Sequence, residues 1–269
     1  MNEVIIESPD QLIETINQFP NGFVFRGQSN STWPLTSSLE RILEPVWNEE
    51  NFDFKQYEDF TLKRFMGKFH LYSSDPLNPA SKLETLALMQ HYGAPTRLVD
   101  FTESPYLALY FAMESFNPLA GNNFSLFAVD CTSLMKKSLE RLKAFDTKFN
   151  HDLASLEDEK DSIFDEIIDR FSLDLLWISE PKVINRRLDL QAGTFLTSIN
   201  RSARIEDAMK NPIYDGVSMT KYTIPQKFYE SVYALLRKVN ITSKSIYGDL
   251  EGLGRSVRME LAAYARPCP

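Results

Sequence analysis

Between Gln90 and Ala112 the chain reads Gln-His-Tyr-Gly-Ala-Pro-Thr-Arg-Leu-Val-Asp-Phe-Thr-Glu-Ser-Pro-Tyr-Leu-Ala-Leu-Tyr-Phe-Ala, the densest run of chemically capable side chains in the sequence. His91, Thr96, Arg97, Asp100, Thr102, Glu103 and Ser104 make a polar loop that runs straight into an apolar stretch. Pro105 marks a helix start, because its missing N–H would be unpaired in the first turn anyway. Ser104 or Thr102 is the expected cap. Leu107, Ala108 and Phe111 follow at helical spacing and form the face to be buried. A polar loop beside the positive end of a helix favours an anionic ligand such as a phosphate. The plainer reading is a capped core helix with an ordinary ion pair between Arg97 and Asp100.

Two further residues have chemical promise. Arg26 ends the apolar run Phe23-Val24-Phe25 and is followed by Gly27 and Gln28. An arginine there suits bidentate phosphate binding, and the glycine lets a ligand or another backbone come close. The competing reading is a buried salt bridge to Asp100 or Glu103. Gln191 precedes Gly193-Thr-Phe-Leu196 and offers an amide to a ligand hydroxyl, unless it is simply a residue on a surface strand. His91 with Asp100 and Ser104 has the residue types of a catalytic triad, though nothing in the spacing demands one.

The elements that must position these groups follow from the pattern of residues. Helices are expected at Ser8–Gln18 with Ser8 as cap, from Leu39, over 52–71, over 81–91 after the breaks at Pro76 and Pro79, over 225–239, and in a last segment ending near Pro267. Strands are expected at 23–25, 124–130, 186–198 with Gly193 at a turn or bulge, and 221–224. Leu176-Trp-Ile178 and Val183-Ile184 suggest a sheet edge. Residues 133–175 are strongly charged and helical in pattern, and read as an insertion. The fold class expected is α+β: a small, split, mostly antiparallel sheet surrounded by helices, with the whole chain 1–269 as a single domain.

Composition narrows the setting. With 269 residues, 43% hydrophobic and 25% charged, the chain has ordinary globular values and can bury a large core. A net charge of −8 argues against extended, sequence-blind nucleic-acid binding. Cys131 and Cys268 are the only cysteines, too few for a disulfide framework. No signal-peptide pattern and no membrane-length apolar run is present, so a cytoplasmic location is expected. No Walker loop, no Gly-x-Gly-x-x-Gly, no Gly-x-Ser-x-Gly elbow and no zinc spacing occur, and no metal site is expected.

Phe25-Arg26-Gly27 with Trp33-Pro-Leu-Thr-Ser-Ser-Leu-Glu-Arg41 closely resembles the opening of the FRG domain family. The resemblance continues through Gln90–Ala112, Gln191-Ala-Gly-Thr-Phe-Leu196 and Ile246-Tyr-Gly-Asp-Leu-Glu-Gly-Leu253. It implies an association with bacterial and phage genomes, and with defence or toxin systems. The order of parts also resembles an ADP-ribosyltransferase: Arg26, then Thr102-Glu103-Ser104 with the helix from Pro105, then the strand from Phe124, then Gln191. That resemblance implies NAD as substrate. Arg26 would hold the pyrophosphate or nicotinamide ribose, and Ser104 or Thr102 would brace the nicotinamide side. Gly27, Gln28, His91, Tyr92, Thr96, Arg97 and Asp100 would help bind the nucleotide. Gln191 departs from the active pattern, because a carboxylate stabilises the developing oxocarbenium ion far better than an amide. Glu103 or Asp100 would then have to supply the charge. Three readings follow: an NAD-using transferase or glycohydrolase acting as an effector, a non-catalytic module that senses a nucleotide or a phage component, and a metal-dependent nuclease using Asp100 and Glu103. The partners expected are a nucleotide ligand and a neutralising or triggering protein.

Overall fold

The computed structural model describes residues 1–72, 79–117, 121–183, 186–248 and 250–264. Pro76, Ile184, Asp249, Pro267 and Cys268 lie outside them. The elements run β1 (Asn2–Ile5), α1 (Pro9–Asn17), β2 (Phe23–Gln28), α2 (Ser38–Leu43), α3 (Phe54–Tyr72), α4 (Lys82–His91), β3 (Val99–Thr102) and α5 (Pro105–Glu114). They continue with β4 (Phe124–Asp130), α6 (Cys131–Phe145), α7 (Leu153–Ile163), β5 (Leu176–Ser179), α8 (Arg186–Leu190), β6 (Gly193–Ser198), α9 (Ile205–Met209), β7 (Met219–Ile224), α10 (Tyr229–Lys238), α11 (Ser243–Tyr247) and α12 (Leu250–Tyr264).

The class is α+β, as the sequence implies, but the sheet is not small. Among the described residues seven strands form one open sheet in the order β1-β7-β4-β2-β3-β6-β5, antiparallel except for the parallel β1–β7 pair. β2 pairs with β4 along its whole length, and β3 pairs with β6 along its whole length. Between β2 and β3 the register holds at a single pair, Phe25 opposite Thr102. The two halves of the sheet are therefore joined at one point and diverge beyond it. Two hydrophobic clusters cover the faces. One gathers α4, α6, Trp177 and the 149–176 segment around Val24, Val99 and Phe101. The other gathers α1, α5, α10 and α12 around Phe25, Leu126 and Ile224.

β2 ends in Arg26, Gly27 and Gln28, as the sequence implies. Several local expectations needed correction. The polar loop contains β3, where buried Val99 and Phe101 alternate with exposed Asp100. Residues 186–190 are helical rather than strand, which leaves Gln191 in the turn before β6. The charged stretch 133–175 packs into the main core through Leu134, Leu142, Phe149, Phe164 and Ile168. Its amphipathic α6 is capped by Asp130, which accepts from Ser133 N at 2.9 Å. Among the described residues no helix is long and apolar enough to cross a membrane.

The same stretch supplies one side of a buried charge network. Glu58 on α3 is 0% exposed. Lys82 Nζ lies 3.0 Å from its Oε2 and 2.8 Å from Asp169 Oδ1. Arg97 Nη2 lies 2.7 Å from Asp169 Oδ1, and Arg201 Nη1 lies 3.4 Å from Glu58 Oε2. Arg97 Nε is 3.1 Å from Glu58 Oε1, though off the line a hydrogen bond needs. The Arg97 guanidinium also sits over the Phe164 ring at 5.1 Å. Charges this deep persist only when paired.

Candidate functional site

The divergence of β2 from β3 opens a cleft of about 650 Å³, within the range of small-molecule sites. β2 contributes Phe25, Arg26 and Gly27, β3 contributes Asp100, Phe101 and Thr102, and the turn before β6 contributes Gln191. Glu84, Gln90 and His91 from α4 line one side, and Phe111 and Glu114 from α5 with Tyr247 from α11 line the other. The walls are mainly apolar and aromatic, with a few polar groups directed inward.

Arg26 sits at the split. Its Nη1 donates to the Asp100 carbonyl at 2.7 Å and lies 3.7 Å from Asp100 Oδ2. It thereby supplies the hydrogen bond that β2 no longer offers to β3. Burial pulls the guanidinium below its ordinary pKa, with Asp100 opposing. Its Nε is buried with no partner among the described residues, a donor available to a ligand. The salt bridge expected from the sequence is present, but Asp100 is 62% exposed and such a pair contributes little by itself.

Gln191 is anchored by its backbone, whose carbonyl accepts from Thr102 Oγ1 at 2.6 Å. Its Nε2 is buried without a partner among the described residues. The next residue, Ala192, has φ +42°, a left-handed conformation that a residue with a Cβ avoids. Such strain persists where the surroundings over-determine it, commonly near a functional site. Gln90 braces the opposite strand, with Nε2 donating to Leu98 O at 3.2 Å and to Asp100 Oδ1 at 3.0 Å.

Six residues singled out from the sequence thus converge: Arg26, Gly27, His91, Asp100, Thr102 and Gln191. Others do not. Ser104 spends its hydroxyl capping α5, accepting from Leu107 N at 3.3 Å. The cleft meets α5 from Ala108 onward, so the positive end of the helix does not face it and gives no anion seat there. Glu103 is exposed and lies on the other side of the single β2–β3 pair, near Cys131. There it adds, after burial and Asp130, to pushing the Cys131 thiol up to about 12. Asp100 and Glu103 therefore do not meet, and among the described residues no group of three His, Cys, Asp or Glu could hold a metal ion.

Thr96 is fully buried, receiving its Leu98 N–H at 3.2 Å and donating to Gln90 Oε1. Arg97 belongs to the buried network, not to a pair with Asp100. Gln28 donates to Pro34 O at 3.1 Å and is not part of the cleft lining. Tyr92 is exposed, with its ring edge-on to His91 at 4.8 Å. Replacing Ser104 with alanine should cost about 1 kcal/mol through the lost cap and leave ligand binding unchanged. Thermal unfolding alongside ligand titration checks this, and a binding defect without a stability loss would contradict it.

Sequence reasoning missed Glu84, Gln90, Glu114 and Tyr247 as lining residues. Tyr247 was signalled by the 246–253 motif. Glu114 carried no signal, because it is an ordinary last-turn glutamate until the fold brings α11 against it. Residues 21–120 match the family model described as the FRG domain. No curated protein matches the chain, and no solved structure matches it. The matched segment holds both strands that flank the split; the turn at Gln191 and the α11–α12 hairpin lie beyond it.

Proposed function

From the premise of an FRG domain at residues 21–120, we propose that the cleft binds NAD and acts on its nicotinamide glycosidic bond, as an ADP-ribosyltransferase-like or NAD glycohydrolase-like effector in phage defence or a toxin system. The observation that carries the reading is the convergence of three distant segments at the sheet's split, with Arg26 Nε and Gln191 Nε2 both buried there without partners among the described residues. In this reading Arg26 takes a phosphate or ribose oxygen, and the Gln191 amide donates to a ribose hydroxyl. Thr102 acts through Gln191, fixing the turn that presents it. The C–N glycosidic bond breaks with its electron pair leaving on nicotinamide, and positive charge develops on the ribose. Asp100 is the carboxylate on β3 beside Arg26, and takes the stabilising role that an amide fills poorly. Water or an acceptor nucleophile then completes the exchange.

One observation favours a second reading, a sensor that binds without turnover. The third position holds a neutral amide, and Asp100 is already engaged by Arg26 and Gln90. Calorimetric titration with NAD, combined with chromatography for free nicotinamide, separates the two. Binding with release supports the enzyme, and binding without release supports the sensor. Arg26→Ala should weaken binding roughly tenfold or more, the scale of a lost charge-assisted hydrogen bond. Asp100→Asn should abolish release while leaving binding largely intact. A protein that binds no NAD at millimolar concentration overturns both.

A further inference from the structure

The 246–253 motif has no part in the chemistry above, yet the fold carries it into the cleft. Tyr247 ends α11 and its ring lines the cleft beside Glu114. Its hydroxyl donates to Glu114 Oε2 at 3.0 Å and receives Arg255 Nη1 at 3.2 Å. Arg255 completes the triangle, 2.9 Å from Glu114 Oε2, with its guanidinium over the Tyr247 ring at 4.6 Å. Tyr110 donates to the other oxygen of Glu114 at 2.8 Å. Gly248 turns the chain with φ +70°, a conformation suited to glycine. Gly252 then brings α12 so close that an added Cβ would lie 2.8 Å from Tyr247 Cβ and 2.6 Å from the Ser243 carbonyl oxygen. The Tyr247 ring is thus held by Glu114 and Arg255 at its hydroxyl and by the close approach of α12 at Gly252. Phe111 lines the same side of the cleft and lies one helical turn before Glu114.

We propose that the α11–α12 hairpin completes the ligand site, with Tyr247 as a binding residue whose fixed ring stacks on a planar heteroaromatic group of the ligand. The inference rests on the reading that the ligand is a nucleotide, and it names the part of that ligand this wall recognises. An aromatic face held by a carboxylate and an arginine from behind is rigid, so stacking on it costs little ordering entropy.

Two probes test it: NAD, and ribose 5-phosphate, which has the phosphate but no ring. Tyr247→Ala should weaken NAD binding roughly tenfold or more, the scale of one lost stacking contact, and leave ribose 5-phosphate within about twofold. Tyr247→Phe should recover most of the NAD affinity. Equal losses on both probes, or no loss on NAD, would overturn the stacking role. If the wild-type protein binds neither probe, the nucleotide reading fails and the ring's stacking partner fails with it. Hydrogen exchange then decides the hairpin's structural role on its own. Tyr247→Ala and Arg255→Ala should each raise exchange over Phe111–Glu114 while β4 stays protected; unchanged exchange there would show that the hairpin does not form this wall.

Discussion

Replacing Gly27 with alanine is expected to destabilise the protein by about 3 kcal/mol or more, a fall of roughly 6–12 °C in Tm. The reason is the crossing of α5 over β2. A Cβ at position 27 would lie 1.8 Å from the Ala108 carbonyl oxygen and 2.7 Å from Ala112 N. Both are backbone atoms inside a helix, so no side-chain rotation relieves the clash, and either α5 or β2 must shift. Both elements line the cleft, so ligand binding should fall with stability. Gly254 provides the contrast. It lies in α12 with nothing within 4 Å of an added Cβ, and Gly254→Ala should stabilise by about 0.5–1 kcal/mol. The same chemical change thus has opposite signs at two sites, and denaturant unfolding of the pair measures both. Equal effects would mean that the α5–β2 approach is looser than described.

The second large effect is expected at Glu58. Glu58→Ala removes a carboxylate that faces Lys82, Arg97 and Arg201, leaving three cations with Asp169 as their remaining paired acid. Breaking a buried pair from one side costs about 3–5 kcal/mol, because the stranded charges stay buried. The pH profile should show the same network. Burial pushes the Asp169 carboxyl up, but Arg97, Lys82 and Arg201 outweigh it and hold it below its ordinary value of 3.8. A carboxyl depressed on folding contributes its stability above the unfolded value and loses it as pH falls through the folded one. Stability should therefore decline below about pH 4, and Asp169→Asn should flatten that decline while lowering stability at neutral pH. An unaltered acid limb in the variant would remove Asp169 from the account.

These two residues also show how far the sequence could be read. Helix boundaries were legible where a local signal exists. Ser8 accepts from Gln11 N and Ser104 from Leu107 N as capping predicts, and Pro105 opens α5. The strand at 124–130 was legible from its composition. β3 was not, because four residues with one exposed aspartate look like loop until β6 pairs with them. Residues 186–190 were misread because a short helix and a strand share the pattern Leu-Asp-Leu. Arg26, Asp100 and Gln191 could be gathered because each belongs to a distinctive motif. Arg97 belongs to one too, yet its partners lie on α3 and beyond α7, with no local trace in the sequence. The same is true of Glu114, whose meaning depends on a tyrosine 133 residues away.

The parallel pairing of β1 with β7 sets a constraint on biogenesis. Asn2 is in register with Thr220, so β1 has no neighbour in the sheet until β7 has been made. β2 and β3 wait in turn for β4 and β6. The β2–β4, β3–β6 and β5–β6 pairs can form before β7 is made, but β1 stays unpaired until then, a long-range closure that is intrinsically slow.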